Sequence, residues 1–126
     1  MPGTQQTILV IDDDEAIREF VSFALTKAYF KVVCAQNGIE GLTMAKAERP
    51  DLLITDLVMP EKEGIETIRE FKLLFPHCPI IAISGSANSE TYLPMAKLLG
   101  ASKVLPKPFS REEIVGAVTD AMPSKP

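Results

Sequence analysis

The sequence is poor in cysteine, histidine and aromatic residues. It has two cysteines, one histidine and no tryptophan among 126 residues. Cys34 and Cys78 form no Cys-x-x-Cys pair and no signal peptide is recognisable, so a reduced, cytoplasmic protein is expected, without a disulfide framework. Cys34 is expected in the core, and Cys78 in a loop beside Pro79. His77 is interpreted as an exposed loop residue rather than a ligand.

Long apolar runs and an excess of positive charge are also missing. No apolar stretch approaches the ~20 residues that a membrane span requires, so no membrane partner is expected. The chain has 13 Lys and Arg against 17 Asp and Glu, a net charge of -4, with no run of basic residues. This balance excludes a basic nucleic-acid-binding face, and the expected partner is a protein or a cation.

Five short apolar runs alternate with segments of helical periodicity. The length of 126 residues predicts a single domain over 1–126, with a core at 7–122 and tails at 1–6 and 123–126. The runs are 8–11, 32–35, 52–55, 80–83 and 104–105. The first is apolar at every position, as in a parallel strand covered on both faces. Right-handed crossovers then predict an α/β fold, a doubly wound five-stranded parallel sheet with five helices.

Each helical segment carries an apolar stripe that is expected to face the sheet. The stripes are Ile17, Phe20, Val21, Ala24 and Leu25; Ile39, Leu42 and Ala45; Ile65, Ile68, Phe71, Lys72 and Phe75, widened by Leu73 and Leu74; and Ile114, Ala117, Val118, Ala121 and Met122. Phe23 is also expected at core spacing, and a short helix from about Tyr92 to Leu99. Asp13 or Asp14 is expected to cap the first helix, and Ser110 to begin a capping box before the last.

Polar residues follow four of the predicted strands at the point where each strand ends. They are Asp12, Asp13 and Asp14 after the first strand, Asp56 after the third, Ser84 after the fourth and Lys107 after the fifth. Because the carboxyl ends of parallel strands meet at one edge of the sheet, where open α/β folds bind ligands, these side chains are expected to converge. Asp14 alone is interpreted as a helix-capping or first-turn acid.

The converging side chains predict a phosphoryl-transfer site. Carboxylates about 4 Å apart repel each other by ~1 to 4 kcal/mol per pair, and Mg²⁺, which prefers oxygen ligands, offsets this repulsion. An ionised Asp56 can act as the nucleophile and form an acyl phosphate. Lys107 supplies a compact positive charge, and Ser84 a hydroxyl donor, for the oxygens of the transferred group.

Four blocks together resemble the signature of the bacterial two-component response-regulator receiver domain, as found in chemotaxis-regulator-like proteins. They are Ile-Leu-Val-Ile-Asp12-Asp13-Asp14, Thr55-Asp56-Leu-Val58-Met-Pro60, Ile-Ser84-Gly-Ser and Leu-Pro-Lys107-Pro108-Phe109. The resemblance runs from residue 7 to about residue 121 in the order and spacing of the family. It implies a flavodoxin-like fold with strand order 2-1-3-4-5.

The resemblance also implies how the site binds its ligands. Asp56 would accept a phosphoryl group from a sensor histidine kinase or a histidine phosphotransfer protein. Asp13 and Asp56 would bind Mg²⁺ directly, together with the main-chain carbonyl of Val58, and Asp12 would act through water. Lys107 would pair with the phosphoryl group. The chain would then be a phosphoacceptor that catalyses its own phosphorylation and dephosphorylation, rather than an enzyme.

A further implication is a switch that passes the modification to a downstream protein target or an output domain. Ser84 would be the switch hydroxyl, the Lys107-Pro108 peptide would be cis, and the fourth helix, fifth strand and fifth helix would form the output face. The family usually carries Tyr or Phe where this chain has Val104. A valine cannot swing a ring in and out, so the aromatic half of the usual switch is not expected here.

Two other functions agree with parts of this pattern. A phosphorylation-inert interaction module of the same fold would keep the same residues without using them. A haloacid-dehalogenase-like phosphatase would use Asp12 as nucleophile, with Asp14 as the second acid. That class needs a further acidic pair after the lysine, and after Lys107 this chain has acids only on an amphipathic helix, so the phosphatase is the less favoured alternative.

Overall fold

A computed structural model describes residues 5–57, 64–85 and 94–122 of the chain. Its strands are β1 (Thr7–Ile11), β2 (Lys31–Ala35), β3 (Leu52–Asp56), β4 (Ile80–Ser84) and β5 (Lys103–Pro106). Its helices are α1 (Glu15–Lys27), α2 (Gly38–Glu48), α3 (Gly64–Leu74), α4, which is helical over 94–98, and α5 (Arg111–Ala121). Strands and helices alternate along the chain, as the apolar runs predict.

The five strands form one parallel sheet in the order β2-β1-β3-β4-β5. From β1 the chain crosses outward to β2, and it then returns past β1 to β3 and continues in the opposite direction. The winding therefore reverses between β1 and β3, and in open α/β sheets this reversal opens a crevice at the carboxyl ends of the two strands. The predicted fold class and strand order are confirmed.

Helices cover the sheet on both faces, and successive residues of a strand point to opposite faces. Leu9 and Ile11 of β1 pack in one core with residues of α2, α3 and α4, among them Phe71. Ile8 and Val10 of β1 pack in a second core with residues of α1 and α5. Strands β1, β3 and β4 are therefore packed on both faces.

Side-chain caps set where three helices begin. Asp14 caps α1, and its carboxylate accepts a hydrogen bond from Ala16 N–H. Asn37 caps α2 in the same way. Ser110 and Glu113 form the predicted capping box of α5. Each side chain accepts from a backbone N–H group that has no partner within its own helix.

Five residues predicted to face the core are exposed, so the prediction is wrong for them. They are Phe20, Phe23, Ile39, Leu73 and Leu74. Leu73, at 83% exposure, follows Phe71 by two positions, which is about 200° around a helix, so burial of Phe71 turns Leu73 to solvent. Helix α2 packs on the sheet through Gly41, Leu42 and Ala45, and Ile39 lies on its exposed side. An apolar pattern does not reveal which part of a wide stripe reaches the sheet.

Cys78 lies where it was predicted, and Cys34 is less buried than predicted. Cys78 lies in the loop between α3 and β4, as predicted, but it is buried, and its Sγ lies 3.5 Å from the carbonyl oxygen of Pro50 as a weak donor. Cys34, predicted to be in the core, is half-buried in the edge strand β2. Burial raises the pKa of Cys78 to about 12. The Cys78 thiol is therefore neutral at physiological pH.

Some predicted features lie outside the described residues. They are the outer parts of the two tails, at 1–4 and 123–126, Val58 and Pro60 of the second signature block, Ser86 of the third, and the start of the helix predicted near Tyr92. Within the described part of the chain, no helix is both long enough and apolar enough to cross a membrane.

Candidate phosphoacceptor and metal site

Four strand ends meet at the carboxyl edge of the sheet. Asp12 follows β1, Asp56 ends β3, Ser84 ends β4 and Lys107 follows β5. The pairing registers of β1 with β3, β3 with β4 and β4 with β5 continue to this edge. The site is therefore assembled from residues that are distant in sequence but adjacent in the sheet.

Lys107 bridges two buried carboxylates. Its Nζ lies 2.9 Å from Asp12 Oδ2 and 3.6 Å from Asp56 Oδ2. Asp12 is fully buried and Asp56 is 5% exposed, while the Lys107 side chain is 18% exposed. In so dry an environment charges interact more strongly than on the surface. The ammonium group therefore offsets much of the repulsion between the two carboxylates.

Backbone groups fix the orientation of these side chains. Asp12 Oδ1 accepts a 2.9 Å hydrogen bond from Asp14 N–H, and Asp56 Oδ1 accepts one of 2.9 Å from Leu57 N–H. The N–H of Lys107 donates to the Ser84 carbonyl at 2.7 Å, which joins the end of β4 to the lysine. Each carboxylate thus has one oxygen held by the backbone and the other turned toward the lysine.

Burial and the neighbouring charges shift the pKa values of the site residues. Burial raises the pKa of Asp56 to about 6, and the neighbouring Asp12 carboxylate adds to the rise while Lys107 opposes it. Burial likewise raises the pKa of Asp12. Burial by itself lowers the pKa of Lys107, but its contact with Asp12 and the surrounding carboxylates outweigh this, so the net direction is upward. The site holds more negative charge than one lysine neutralises.

This surplus of carboxylate oxygens fits a divalent cation. Asp12, Asp13 and Asp56 each offer an oxygen, and the three oxygens lie within 4.8 Å of one another. Asp12 Oδ2 is buried and accepts no hydrogen bond from the described residues, although Lys107 Nζ is in ion-pair contact with it. An all-oxygen set of this kind suits Mg²⁺. Val58, whose carbonyl the resemblance adds to the set, lies outside the described residues.

The remaining predicted residues take clear positions. Ser84 is buried, and its hydroxyl lies 3.4 Å from the carbonyl oxygen of Gly85, a long and weak hydrogen bond. Asp14 caps α1 and His77 is exposed. Val104 is half-buried and packs against the core that contains residues of α2, α3 and α4. The Lys107-Pro108 peptide is cis, as the resemblance implies.

Two residues at the site were not identified from the sequence. Arg18 on α1 donates a 2.7 Å hydrogen bond from Nη1 to the main-chain carbonyl of Asp12. Gly64, the first residue of α3, packs so closely that an added Cβ would lie 2.0 Å from the Asp56 carbonyl oxygen. Gly64 stands between the charged residues 61–63 and the apolar stripe of the third helix, and a glycine at such a boundary is a signal of close approach that the sequence does contain. The contact of Arg18 has no comparable sequence signal.

Comparison with known proteins identifies the class. The profile of the response regulator receiver domain matches residues 8–119. The chain therefore belongs to the response regulator receiver domain family, whose members act in two-component signalling.

Two curated relatives are much longer proteins. Response regulator MprA from Mycobacterium avium (strain 104) is 37% identical over 109 residues, which are 86% of this chain and 47% of that protein. Hybrid signal transduction histidine kinase D from Dictyostelium discoideum is 35% identical over 122 residues, which are 94% of this chain and 8% of the kinase. The chain thus spans less than half the length of either relative.

Solved structures show the same fold. Chemotaxis response regulator CheY4 of Vibrio cholerae has a TM-score of 0.86 at 29% identity, with 94% of this chain and 100% of that chain covered. NtrX from Brucella abortus, crystallised with ADP, has a TM-score of 0.88 at 27% identity, with 94% of this chain and 27% of that chain covered. The flavodoxin-like architecture is confirmed by both.

Proposed function

We propose that this receiver domain accepts a phosphoryl group on Asp56 from the phosphohistidine of a sensor histidine kinase or a histidine phosphotransfer protein, in the cytoplasm and with Mg²⁺ bound. The observation that supports this best is the placement of Asp56. It is a buried carboxylate with a raised pKa at the open edge of the sheet, with Lys107 and two further acids beside it. Both ion-pair partners and metal-ligating oxygens are thus available at the reacting group.

In the proposed transfer, an Asp56 oxygen forms a bond to phosphorus while the bond between phosphorus and the donor imidazole nitrogen breaks. The nitrogen keeps the electron pair of that bond, and the donor ring, which carries a proton on its other nitrogen, leaves as neutral imidazole. Oδ1 of Asp56 is held by Leu57 N–H, so Oδ2, which faces Lys107, is the attacking oxygen. Hydrolysis of the resulting acyl phosphate returns Asp56. The chain catalyses both steps on itself and is a phosphoacceptor rather than an enzyme with a separate substrate.

The neighbouring side chains neutralise and orient the transferred group. Lys107 Nζ lies 3.6 Å from Asp56 Oδ2. It is expected to exchange this contact for an ion pair with a phosphoryl oxygen. When bound, Mg²⁺ supplies positive charge to the other oxygens, and Asp13, Asp56, the Val58 carbonyl and, through water, Asp12 would hold it. Positioning and neutralisation are the main catalytic effects in phosphoryl transfer.

The modified state is proposed to reach a downstream protein target or output domain through the face formed by α4, β5 and α5, with no direct binding of nucleic acid. Ser84 is the switch hydroxyl, because its 3.4 Å contact with the Gly85 carbonyl is weak and is readily exchanged for a charged phosphoryl oxygen. Val104 has no ring to reorient, so the response of β5 is carried by Ser84 and the backbone next to it. Phosphorylation shifts the populations of two states by its differential stabilisation of one of them.

Mass spectrometry of the intact protein tests the proposal. Incubation with Mg²⁺ and acetyl phosphate is expected to add one phosphoryl group to the parent chain and none to Asp56→Asn. Asp120→Asn, an exposed acid on α5, serves as the matched control and is expected to react like the parent. EDTA is expected to prevent the addition in both the parent and Asp120→Asn.

The other outcomes identify the alternatives. A folded parent that binds Mg²⁺ but takes up no phosphoryl group would favour the inert interaction module. Turnover of p-nitrophenyl phosphate that is lost in Asp12→Asn and retained in Asp56→Asn would favour the phosphatase.

A further inference from the structure

Arg18 is a charged residue at the site to which the proposed function assigns no role. It is half-buried on α1, and its Nη1 donates a 2.7 Å hydrogen bond to the main-chain carbonyl of Asp12. The N–H of Arg18 donates to the Asp14 carbonyl at 3.1 Å, so the residue is anchored in the first turn of the helix. The Arg18 side chain therefore connects helix α1 to the backbone of Asp12, in the segment that carries the acids Asp12, Asp13 and Asp14.

This hydrogen bond holds one particular peptide plane. The carbonyl of Asp12 and the N–H of Asp13 belong to the same planar unit, so fixing the carbonyl fixes the direction in which the chain continues to Asp13. Asp12 N–H donates to the Ala35 carbonyl at 3.1 Å, which secures the preceding peptide. Asp13 itself is exposed. The direction of the Asp13 carboxylate therefore depends on the backbone that carries it.

We infer that Arg18 is a positioning residue for the metal centre: by holding the Asp12 peptide plane, it aims Asp13 at the oxygens of Asp12 and Asp56. With the loop in this course, the three carboxylate oxygens lie within 4.8 Å of one another. The inference rests on the proposed function, because it takes Mg²⁺ as the ligand of these acids. Groups that orient metal ligands typically change metal affinity by about 10- to 100-fold when they are removed.

Charge and geometry make opposite predictions for Arg18. Removing a positive charge from the neighbourhood of a cation site strengthens cation binding, since one repulsive interaction is lost. Removing an orienting hydrogen bond weakens cation binding. The sign of the change in Mg²⁺ affinity therefore separates a positioning role from a merely electrostatic one.

Titration of Mg²⁺ into ¹⁵N-labelled protein, followed by amide chemical shifts, measures this affinity without any phosphorylation step. Arg18→Met keeps the aliphatic stem and is expected to raise the Kd for Mg²⁺ by about tenfold. Arg18→Lys keeps the charge and a donor group, the ammonium nitrogen, and is expected to recover part of the loss. Arg69→Met removes the same charge from an exposed position on α3 and is expected to match the parent.

Phosphorylation by acetyl phosphate adds a second readout. At saturating Mg²⁺ the rate for Arg18→Met is expected to return to within about twofold of the parent, because the reacting Asp56 and Lys107 are unchanged. At low Mg²⁺ the rate is expected to fall in proportion to the lost metal affinity. A structural defect would lower the rate equally at both concentrations.

The outcomes separate this inference from the proposed function. Unchanged or tighter Mg²⁺ binding by Arg18→Met, with the parent binding the ion and taking up phosphate, overturns the inference alone. A parent that neither binds Mg²⁺ nor becomes phosphorylated overturns both. Should Arg18→Met fail to fold, Arg18→Lys decides the matter: its ammonium group lacks the reach and the planar fork of the guanidinium and is expected to weaken Mg²⁺ binding about two- to threefold, and parent-like binding would overturn the inference.

Discussion

Gly64 at the start of α3 lies against the backbone of Asp56, so that a Cβ atom on residue 64 would come within 2.0 Å of the Asp56 carbonyl oxygen and 2.4 Å of Leu57 Cα. The N–H of Gly64 also donates to the Leu57 carbonyl at 3.0 Å. Both neighbours are backbone atoms and cannot move aside as a flexible side chain can. The first turn of α3 and the end of β3 therefore form one packed unit.

Gly64→Ala is expected to destabilise the protein for this reason. The added methyl group must displace either α3 or the end of β3, and overpacking of this kind costs about 1 to 3 kcal/mol. Urea denaturation measures the change in the free energy of unfolding. The rate of phosphorylation by acetyl phosphate is expected to fall with it, because Asp56 belongs to the displaced segment.

Gly116→Ala provides the matched control for Gly64→Ala. Gly116 lies within α5, and an added Cβ would meet no atom within 4 Å. Alanine in a helix interior is favoured over glycine by about 1 kcal/mol, so this variant is expected to be more stable than the parent. Equal stability of Gly64→Ala and the parent would contradict the close approach.

Asp56→Asn is expected to change how the stability of the metal-free protein depends on pH. The pKa of Asp56 rises from 3.8 to about 6 on folding. A pKa raised by folding gives stability that is fully present below the unfolded value and is lost as the pH rises through the folded value. The free energy of unfolding in EDTA is thus expected to decrease between pH 4 and pH 7 by on the order of 2 kcal/mol.

In Asp56→Asn this decrease is expected to be smaller, so at pH 7.5 in EDTA the variant is more stable than the parent. Asp12, whose pKa is also raised by burial, leaves part of the slope in place. Asp120→Asn, on the surface, is expected to stay within about 0.5 kcal/mol of the parent at every pH. Urea titrations at four pH values provide the measurement, and an unchanged slope in Asp56→Asn would refute the expectation.

Lys107→Met is expected to destabilise the metal-free protein strongly at neutral pH. The substitution leaves Asp12 and Asp56 buried without their cation, and breaking a buried pair in this way costs about 3 kcal/mol or more. At pH 5 the loss is expected to be smaller, since Asp56, with its pKa of about 6, is then largely protonated. Denaturation at pH 5 and pH 7.5, both in EDTA, compares the two conditions.

Lys103→Met is the control for Lys107→Met. Its Nζ lies 3.6 Å from Asp120 Oδ2, and both side chains are well exposed. Such surface pairs contribute about 0 to 1 kcal/mol. If the two lysine variants lost the same stability, Lys107 would not be acting on buried carboxylates.

Tyr29→Gly is expected to stabilise the protein by about 1 kcal/mol. Tyr29 follows α1 and lies in the left-handed region, with φ 73°. It is 84% exposed, so its ring makes few contacts that could offset the backbone strain. Tyr29→Ala retains a Cβ and is expected to differ little from the parent. Thermal unfolding of the two variants distinguishes backbone strain from loss of the ring, and equal effects would contradict the role of φ.

Much of the fold could be predicted from residue order. The runs at 8–11, 52–55 and 80–83 are apolar because strands covered on both faces exclude water from both sets of side chains, and such runs are visible without coordinates. The capping box at Ser110 is equally local. The polar residues of the site could be named because each lies at the end of an apolar run or directly after it.

Helix orientation could not be predicted in the same way. Phe23 and Leu73 are as apolar as Val21 and Phe71, which lie in the same two helices. Val21 and Phe71 are buried, whereas Phe23 and Leu73 face solvent. The apolar stripes are wider than the sheet surface that each helix covers. Only the rotation of the helix against the sheet selects the residues that are buried.

The sequence by itself determined the alternation of strands and helices and placed acids, a hydroxyl and a lysine at strand ends, because these are local properties of periodicity and of chain direction. Tertiary structure alone decided that Lys107 lies nearer to Asp12 than to Asp56, that Arg18 holds the Asp12 carbonyl and that Gly64 packs on Asp56. These contacts join segments far apart in the chain, and their distances depend on the registers of neighbouring strands and the rotation of helices. Differences of 1 Å in such distances change electrostatic energies. The residue pattern of a single segment does not determine these distances.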